Sequence, residues 1–158
     1  MSVLTRVTTT SATTSAVKKL VTAVMGALVM TVASAATAAS GDMLIKPFEQ
    51  LQFSEKVPGN PQISPVKGIP ETQPSSIVMK MGRGAFPLHT HTANYQLVVI
   101  KGIMKHWDEK GSQKSAPKMG PGSYWYQPAG QVHGDACESN ECVWFITFDG
   151  PRDFAVHQ

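Results

Sequence analysis

Acidic residues are absent from the first forty positions of the chain, where three basic side chains carry the only charges. An apolar run at residues 20–33 follows the basic residues, and two A-x-A cleavage sites follow the run. This order of basic, apolar and small residues is typical of a secretory signal peptide. The sequence therefore predicts a signal peptide over residues 1–39, cleaved between Ala35 and Ala39.

Long hydrophobic runs are also lacking. The stretch at residues 20–33 is diluted by threonine and glycine, and it is shorter than the roughly 18–20 apolar residues that a membrane-spanning helix needs. We expect no stable membrane span after processing and a periplasmic or secreted protein. The alternative is an uncleaved N-terminal anchor.

An excess of positive charge is lacking once the leader is set aside. All 11 acidic residues follow Ala39, whereas three of the 14 basic residues precede it and 11 remain. The mature chain is thus near neutral, and no nucleic-acid partner is expected. About 120 residues remain, which is enough for one domain with its own core.

Cysteine is scarce, with only Cys137 and Cys142 in the chain. They bracket the letters ESNE between two segments that both have strand character. In an exported protein this arrangement favours a disulfide that clamps a hairpin. Two free thiols in a cytosolic protein are the alternative.

Helical periodicity is missing after Ala39, where no stretch keeps a 3.6-residue apolar repeat over three turns. Short strand-like segments alternate instead with Gly/Pro turns, which predicts an all-β sandwich or small barrel. The predicted strands are residues 76–81, 96–100, 103–107, 123–127, 132–137 and 142–148, with a turn at 82–87. Residues 75–158 are expected to form this domain.

Residues 40–74 have a different composition, rich in Pro, Gly and Gln. Repeated prolines interrupt any regular element there. We predict an extended arm that carries an edge strand at residues 62–67 and a short helix or strand at residues 48–53.

Three of the five histidines have positions that would allow them to bind one metal ion. His89 and His91 are two residues apart, so in extended conformation both imidazoles point to the same face. His133 follows a strand and a Pro-x-Gly turn, and a hairpin of this kind can return its side chain to the same interior. Three protein ligands are the minimum for a useful metal site.

Two spaced motifs resemble those of the cupin superfamily. Gly84, the H-x-H pair and Gly102 resemble the first cupin motif, and the second, G-x5-P-x-G-x2-H, runs from Gly122 to His133. More narrowly, HTHTANY, LVVIKG and GPGSYWYQPAGQVH resemble the exported or ChrR-like cupins of the domain of unknown function DUF4437. The resemblance implies a double-stranded β-helix, or jelly-roll barrel.

The resemblance also implies a divalent transition metal, namely Fe, Zn, Mn, Cu or Ni, held by His89, His91 and His133. Cupins usually supply a fourth ligand, a glutamate three or four residues after the second histidine. Tyr95 and Gln96 occupy those positions here. A three-histidine site with open coordination positions is the simplest interpretation, with Gln96 or Tyr95 as fourth ligand and a barrel that has lost its metal as alternatives.

Two functions remain open at this stage. The first is a metal-dependent enzyme, dioxygenase-like or other, acting on a small organic substrate. The sequence offers it no clear general base, since Asp135 is the nearest acidic residue to His133. The second is a non-catalytic cupin that binds or senses a metal or small ligand. His106 is expected on a strand face or as a hydrogen-bonding neighbour of the ligands, and strands apolar on both faces allow a homodimer.

Overall fold

The structure, a computed structural model, describes residues 41–54 and 61–158, so the predicted signal peptide lies outside the described residues. Within those ranges the only helix is one 3-10 turn, Phe48–Gln50, and no helix is long and apolar enough to cross a membrane. The strands are Gln62–Lys67 (β1), Ser75–Ala85 (β2), His89–Thr90 (β3), Tyr95–Lys101 (β4), Met104–Asp108 (β5), Tyr124–Gln127 (β6), His133–Phe148 (β7) and Ala155–Val156 (β8). The all-β prediction is confirmed.

The long strand β7 organises the barrel. Its C-terminal half pairs antiparallel with β2 on one side and β4 on the other, and β6 extends this sheet beyond β4. Its N-terminal half pairs with β5 and, at His133, with β3. One strand therefore serves two sheet regions, and the curled sheet encloses a common interior, as a jelly-roll barrel requires.

The predicted hairpin at the cysteines is wrong, although the disulfide is present between Cys137 and Cys142. Both cysteines belong to the continuous strand β7. Cys142 lies opposite Met81 in β2 and Cys137 lies opposite Gly84. Between these two pairs the chain advances by five residues along β7 but by only three along β2. Residues 138–141 therefore contain a bulge. The disulfide closes this bulge, with 5.8 Å between the two Cα atoms.

The turn predicted at residues 82–87 is also wrong in its first half. β2 continues to Ala85, which pairs with Ala136 of β7. Gly82 and Gly84 do not adopt the positive φ that would favour a turn. Because β2 is prolonged, Phe86 reaches the end of the barrel, where its N–H donates to the Asp135 carbonyl oxygen (2.8 Å).

Strand alternation determines which side chains enter the barrel. In β4, Tyr95, Leu97 and Val99 are buried, whereas the intervening residues are exposed. The core continues with inward-facing residues of the neighbouring strands, Ile77, Met79, Met104, Trp125, Trp144, Ile146 and Phe148. The strand predicted at residues 62–67 is present as β1, and it pairs with β2 at the border of the sheet.

Candidate metal centre

Three histidines meet at one end of the barrel. His89 of β3 lies opposite His133 of β7 in the strand register, and His91 follows two residues after His89. One ring nitrogen from each lies within 4.8 Å of the others. His89 and His133 are only 2% and 1% exposed. The structure thus brings together the three side chains that the sequence motifs singled out.

Backbone carbonyl groups orient all three imidazoles in the same way. His89 Nδ1–H donates to the Pro87 carbonyl oxygen (2.8 Å) and His133 Nδ1–H to that of Gln131 (2.9 Å). His91 Nδ1–H donates to the Asp153 carbonyl oxygen. Because each Nδ1 carries the proton, each Nε2 is left unprotonated, and this is the tautomer that a metal ligand needs.

Burial keeps these rings neutral. It lowers the pKa of His133 to about 4, against the opposing effects of Asp135 and the Gln131 carbonyl. Burial also lowers the pKa of His89 and of His91 from 6.5. Three neutral, preoriented imidazoles fit Fe, Zn, Cu, Ni or Mn, all of which accept nitrogen ligands.

The lowered pKa values predict a pH-dependent stability of the metal-free protein. An unfolded chain protonates His133 near pH 6.5, whereas the folded chain does so only near pH 4. The unfolded state therefore binds more protons in this window, and the free energy of unfolding falls as the pH drops from 6.5 to 4. Urea unfolding of chelator-treated protein measures it. His133→Gln should give a shallower slope than the wild-type protein, and equal slopes in the two proteins would contradict the assignment.

Tyr95, one candidate fourth ligand, does reach the site. Its side chain is 3% exposed, and its O–H lies 3.2 Å from His133 Nε2, to which it donates. Trp125 Nε1–H in turn donates to the Tyr95 oxygen (3.3 Å). Burial raises the pKa of Tyr95 well above 10, and the Asp135 carboxylate raises it further. The structure therefore presents Tyr95 as a protonated hydrogen-bond donor and not as an anionic ligand.

Gln96, the other candidate, lies outside the barrel. It follows Tyr95 on β4, so strand alternation turns its side chain to the exposed face. There its Oε1 accepts a hydrogen bond from the Tyr124 hydroxyl (3.3 Å). The proposal that Gln96 completes the metal site is wrong for this reason.

Asp135 is the carboxylate that the sequence reading did not place in the site. It lies two residues after His133 on β7, on the same face, and its Oδ2 is 3.7 Å from His89 Nε2 and 3.8 Å from His133 Nε2. Asp135, which the sequence indicated only as the acidic residue nearest to His133, therefore lies beside the histidine cluster. The sequence did contain a signal for this, because residues two apart on a strand point to the same face, as His133 and Asp135 do.

His106 holds Asp135 in place. Its Nδ1 lies 2.6 Å from Asp135 Oδ1, and its Nε2 donates to Gln127 Oε1 (3.0 Å). The Gln127 amide is itself fixed because its NH₂ group donates to the carbonyl oxygens of Pro128 and Gln131. One Asp135 oxygen is thus tied to His106 while the other faces the histidine cluster. His106 is a positioning residue, one of the two roles the sequence suggested.

The C-terminal tail completes the rim. β8 pairs with β3, so the tail lies directly beside His89. The Phe154 ring stacks on the His89 ring with centroids 4.3 Å apart, and Asp153 Oδ1 accepts from the Thr92 N–H (2.8 Å). Sequence reasoning missed this tail because its two-residue strand has no detectable periodicity.

The site opens into a cavity of about 560 Å³ inside the barrel. His89, His91, Tyr95 and Asp135 contribute to its wall. Most of the rest is apolar: Met79, Phe86, Leu97, Met104, Trp125, Trp144, Ile146, Phe148 and Phe154. The volume falls in the range of small-molecule sites, which are commonly apolar with a few convergent polar groups.

Comparison with known proteins extends these observations. The chain is 34% identical over 93 residues to the DNA damage-repair/toleration protein DRT102 of Arabidopsis thaliana, covering 59% of this chain but only 29% of that protein. The polyketide cyclase RemF of Streptomyces resistomycificus has the same fold, with a TM-score of 0.60 and 17% identity over 74% of this chain and 87% of that one. KdgF of Halomonas sp. matches 72% of this chain and 97% of its own, with a TM-score of 0.58 and 19% identity.

Similarity to RemF and KdgF at this level of identity establishes the fold alone. The family assignment rests on a separate match, in which residues 54–155 fit the domain of unknown function DUF4437. That range holds both histidine motifs, the disulfide and nearly all of the barrel. The chain therefore has the double-stranded β-helix fold and belongs to the DUF4437 family.

Proposed function

We propose that the protein is a metal-dependent enzyme that acts on a small organic molecule bound inside the barrel. The observation that supports this most is a cluster of three neutral imidazoles at an apolar cavity, whose wall includes His89, His91 and the Asp135 carboxylate. RemF, which is named a polyketide cyclase, has the same fold, and this supports an enzymatic role. A purely structural barrel would have no need of preoriented ring nitrogens.

His89, His91 and His133 would hold the metal through Nε2. When bound, a divalent ion would act as a Lewis acid, polarising a substrate oxygen or acidifying water. The protein's own contribution is to exclude bulk water with the aromatic wall, to fix the ligands through their Nδ1–H bonds and to place Tyr95 O–H as a donor. Three neutral ligands would leave the positive charge of the ion uncompensated, and the Asp135 carboxylate would be the nearest negative charge to it.

Asp135 would accept a proton from the substrate at Oδ2. Its Oδ1 is held by His106, so the carboxylate cannot rotate away without breaking that contact (2.6 Å). Its Oδ2 lies 3.7 to 3.8 Å from two ligand nitrogens, within reach of a molecule that enters the cluster. A positioned carboxylate of this kind contributes about 10²- to 10⁴-fold to a proton transfer.

Asp135→Asn tests this role. The amide preserves shape but cannot accept the proton, so we expect turnover to fall at least about 100-fold with metal content unchanged. Elemental analysis and steady-state rates on the same preparation measure both quantities. A variant that loses its metal would show Asp135 to be a ligand, and a variant that keeps full turnover would contradict the proton-accepting role.

The direct test of the function combines metal analysis with turnover. The protein is purified from its own compartment, because a site of this type takes up whichever ion is available. Phenolic, diketone and lactone substrates are then assayed with Fe(II), Mn(II) and Zn(II). Stoichiometric metal together with turnover supports an enzyme. Stoichiometric metal with no turnover across the panel would instead favour a non-catalytic binding or sensor cupin.

The setting of this site is part of the proposal. The disulfide supports a periplasmic or secreted location, since disulfides persist in oxidising compartments. A homodimer is supported by the outer face of β4, β6 and β7. There Val98 is paired with both Tyr124 and Phe145. The three side chains are 38%, 56% and 37% exposed, respectively. Such a contiguous apolar strip is typical of an interface.

A further inference from the structure

One strongly polar side chain of the cavity has no part in the metal site. Arg152 lies in the tail before β8 and contributes to the wall of the same cavity as the histidines and Asp135. Its backbone is anchored, because its N–H donates to the Pro70 carbonyl oxygen (2.6 Å). The segment around it is held as well, by the contact of the Asp153 carbonyl with His91.

Within the described part of the chain, the Arg152 guanidinium has acidic neighbours but no ion pair or side-chain hydrogen bond. Glu71 and Asp153 are near enough to attract it electrostatically, but Asp153 Oδ1 is already engaged by Thr92. Burial lowers the pKa of Arg152, yet an arginine stays protonated. A half-buried guanidinium, unpaired among the described residues, therefore lies in the wall of a largely apolar chamber.

We propose that Arg152 binds the carboxylate of the substrate, and that the substrate is consequently an organic acid with an apolar body. The planar guanidinium presents paired donors that match a carboxylate. The aromatic and aliphatic wall accommodates the body of the molecule, and the histidine cluster with Asp135 faces its reactive part. This inference deepens the proposed function and depends on it for the site of reaction, but not for binding of the acid.

The charge distribution supports an anion with one carboxylate. Arg152 is the only Lys or Arg among the described residues of the cavity wall, and Asp135 is the only acidic one. An acid held by Arg152 directs its uncharged portion toward the cluster, which avoids placing two carboxylates together. A positively charged ligand would meet Arg152 with unfavourable electrostatics.

Two matched pairs of probes test the proposal, 3-phenylpropanoate with 3-phenylpropanamide and indole-3-acetate with indole-3-acetamide. Each is titrated by calorimetry into the mature full-length protein, both with its metal and after chelation. Hydrogen bonds to charged groups predict that at least one acid binds about 10-fold or more tightly than its amide. Arg152→Gln should reduce that ratio to within about threefold and leave the amide affinity unchanged. Arg83→Gln removes an equal charge from β2, outside the cavity, and should keep the ratio.

The two forms of the protein separate the two proposals. If the chelated wild-type protein prefers the acid and Arg152→Gln does not, Arg152 binds the carboxylate. That result holds even if the metal site fails its own test. Preference seen only with metal, and kept in Arg152→Gln, would show that the carboxylate binds the metal and would overturn the assignment. So would the absence of any acid preference in both pairs. Metal content equal to wild type in Arg152→Gln, with an unchanged melting temperature, shows that the variant is folded.

Discussion

Replacing His133 with alanine is expected to remove the metal from the protein, weakening its binding by at least about 100-fold. Loss of an outer hydrogen bond to a ligand already costs about 10- to 100-fold in affinity, and His133 would be a direct ligand. Its Nε2 is one of the three nitrogens that lie within 4.8 Å of one another. With only two imidazoles left, the site has too few ligands for a stable complex. His89→Ala and His91→Ala should behave alike.

His106→Ala is the matched control, because it removes a neighbouring imidazole. The rings of His106 and His133 are 5.2 Å apart, but both nitrogens of His106 are engaged by Asp135 and Gln127. We expect this variant to retain stoichiometric metal. Titration with a competing chelator measures affinity, and circular dichroism confirms that each variant is folded. Full metal content in folded His133→Ala would exclude the three-histidine site.

The part of the site that the sequence predicted is the part controlled by local geometry. His89 and His91 were linked by a spacing of two, and His133 by its place after a Pro-x-Gly turn. Both are short-range features of an extended chain. Gln96 lies outside the barrel for the same reason that Tyr95 lies inside it, since adjacent strand residues point to opposite faces.

The rest of the site depends on contacts between distant segments. Arg152 and Phe154 reach the cavity because β8 pairs with β3, some sixty-five residues earlier in the chain. Nothing in the sequence of so short a strand specifies its partner. The bulge in β7 was misread as a hairpin because two cysteines separated by four polar residues are compatible with either structure. Only the register with β2 distinguishes them.

The bulge has a steric requirement that yields the largest stability effect we expect. Gly102 lies against it with φ of +84°. A methyl group added there would lie 2.5 Å from the Glu141 carbonyl oxygen and 2.9 Å from Cys142 Sγ. The first is a backbone atom and the second is fixed by the disulfide, so neither can move without distorting β7.

Gly102→Ala is therefore expected to lower the free energy of unfolding by about 3 kcal/mol or more, which combines backbone strain with overpacking. Gly122→Ala isolates the strain, because Gly122 has nearly the same φ, +86°, with no atom within 4 Å of the added methyl group. That variant should lose only about 1 kcal/mol. Urea unfolding followed by tryptophan fluorescence measures both. If both variants lose the same free energy of unfolding, steric contact with the bulge does not contribute to the loss at Gly102. A difference of about 2 kcal/mol would show that Gly102 is packed closely against the bulge.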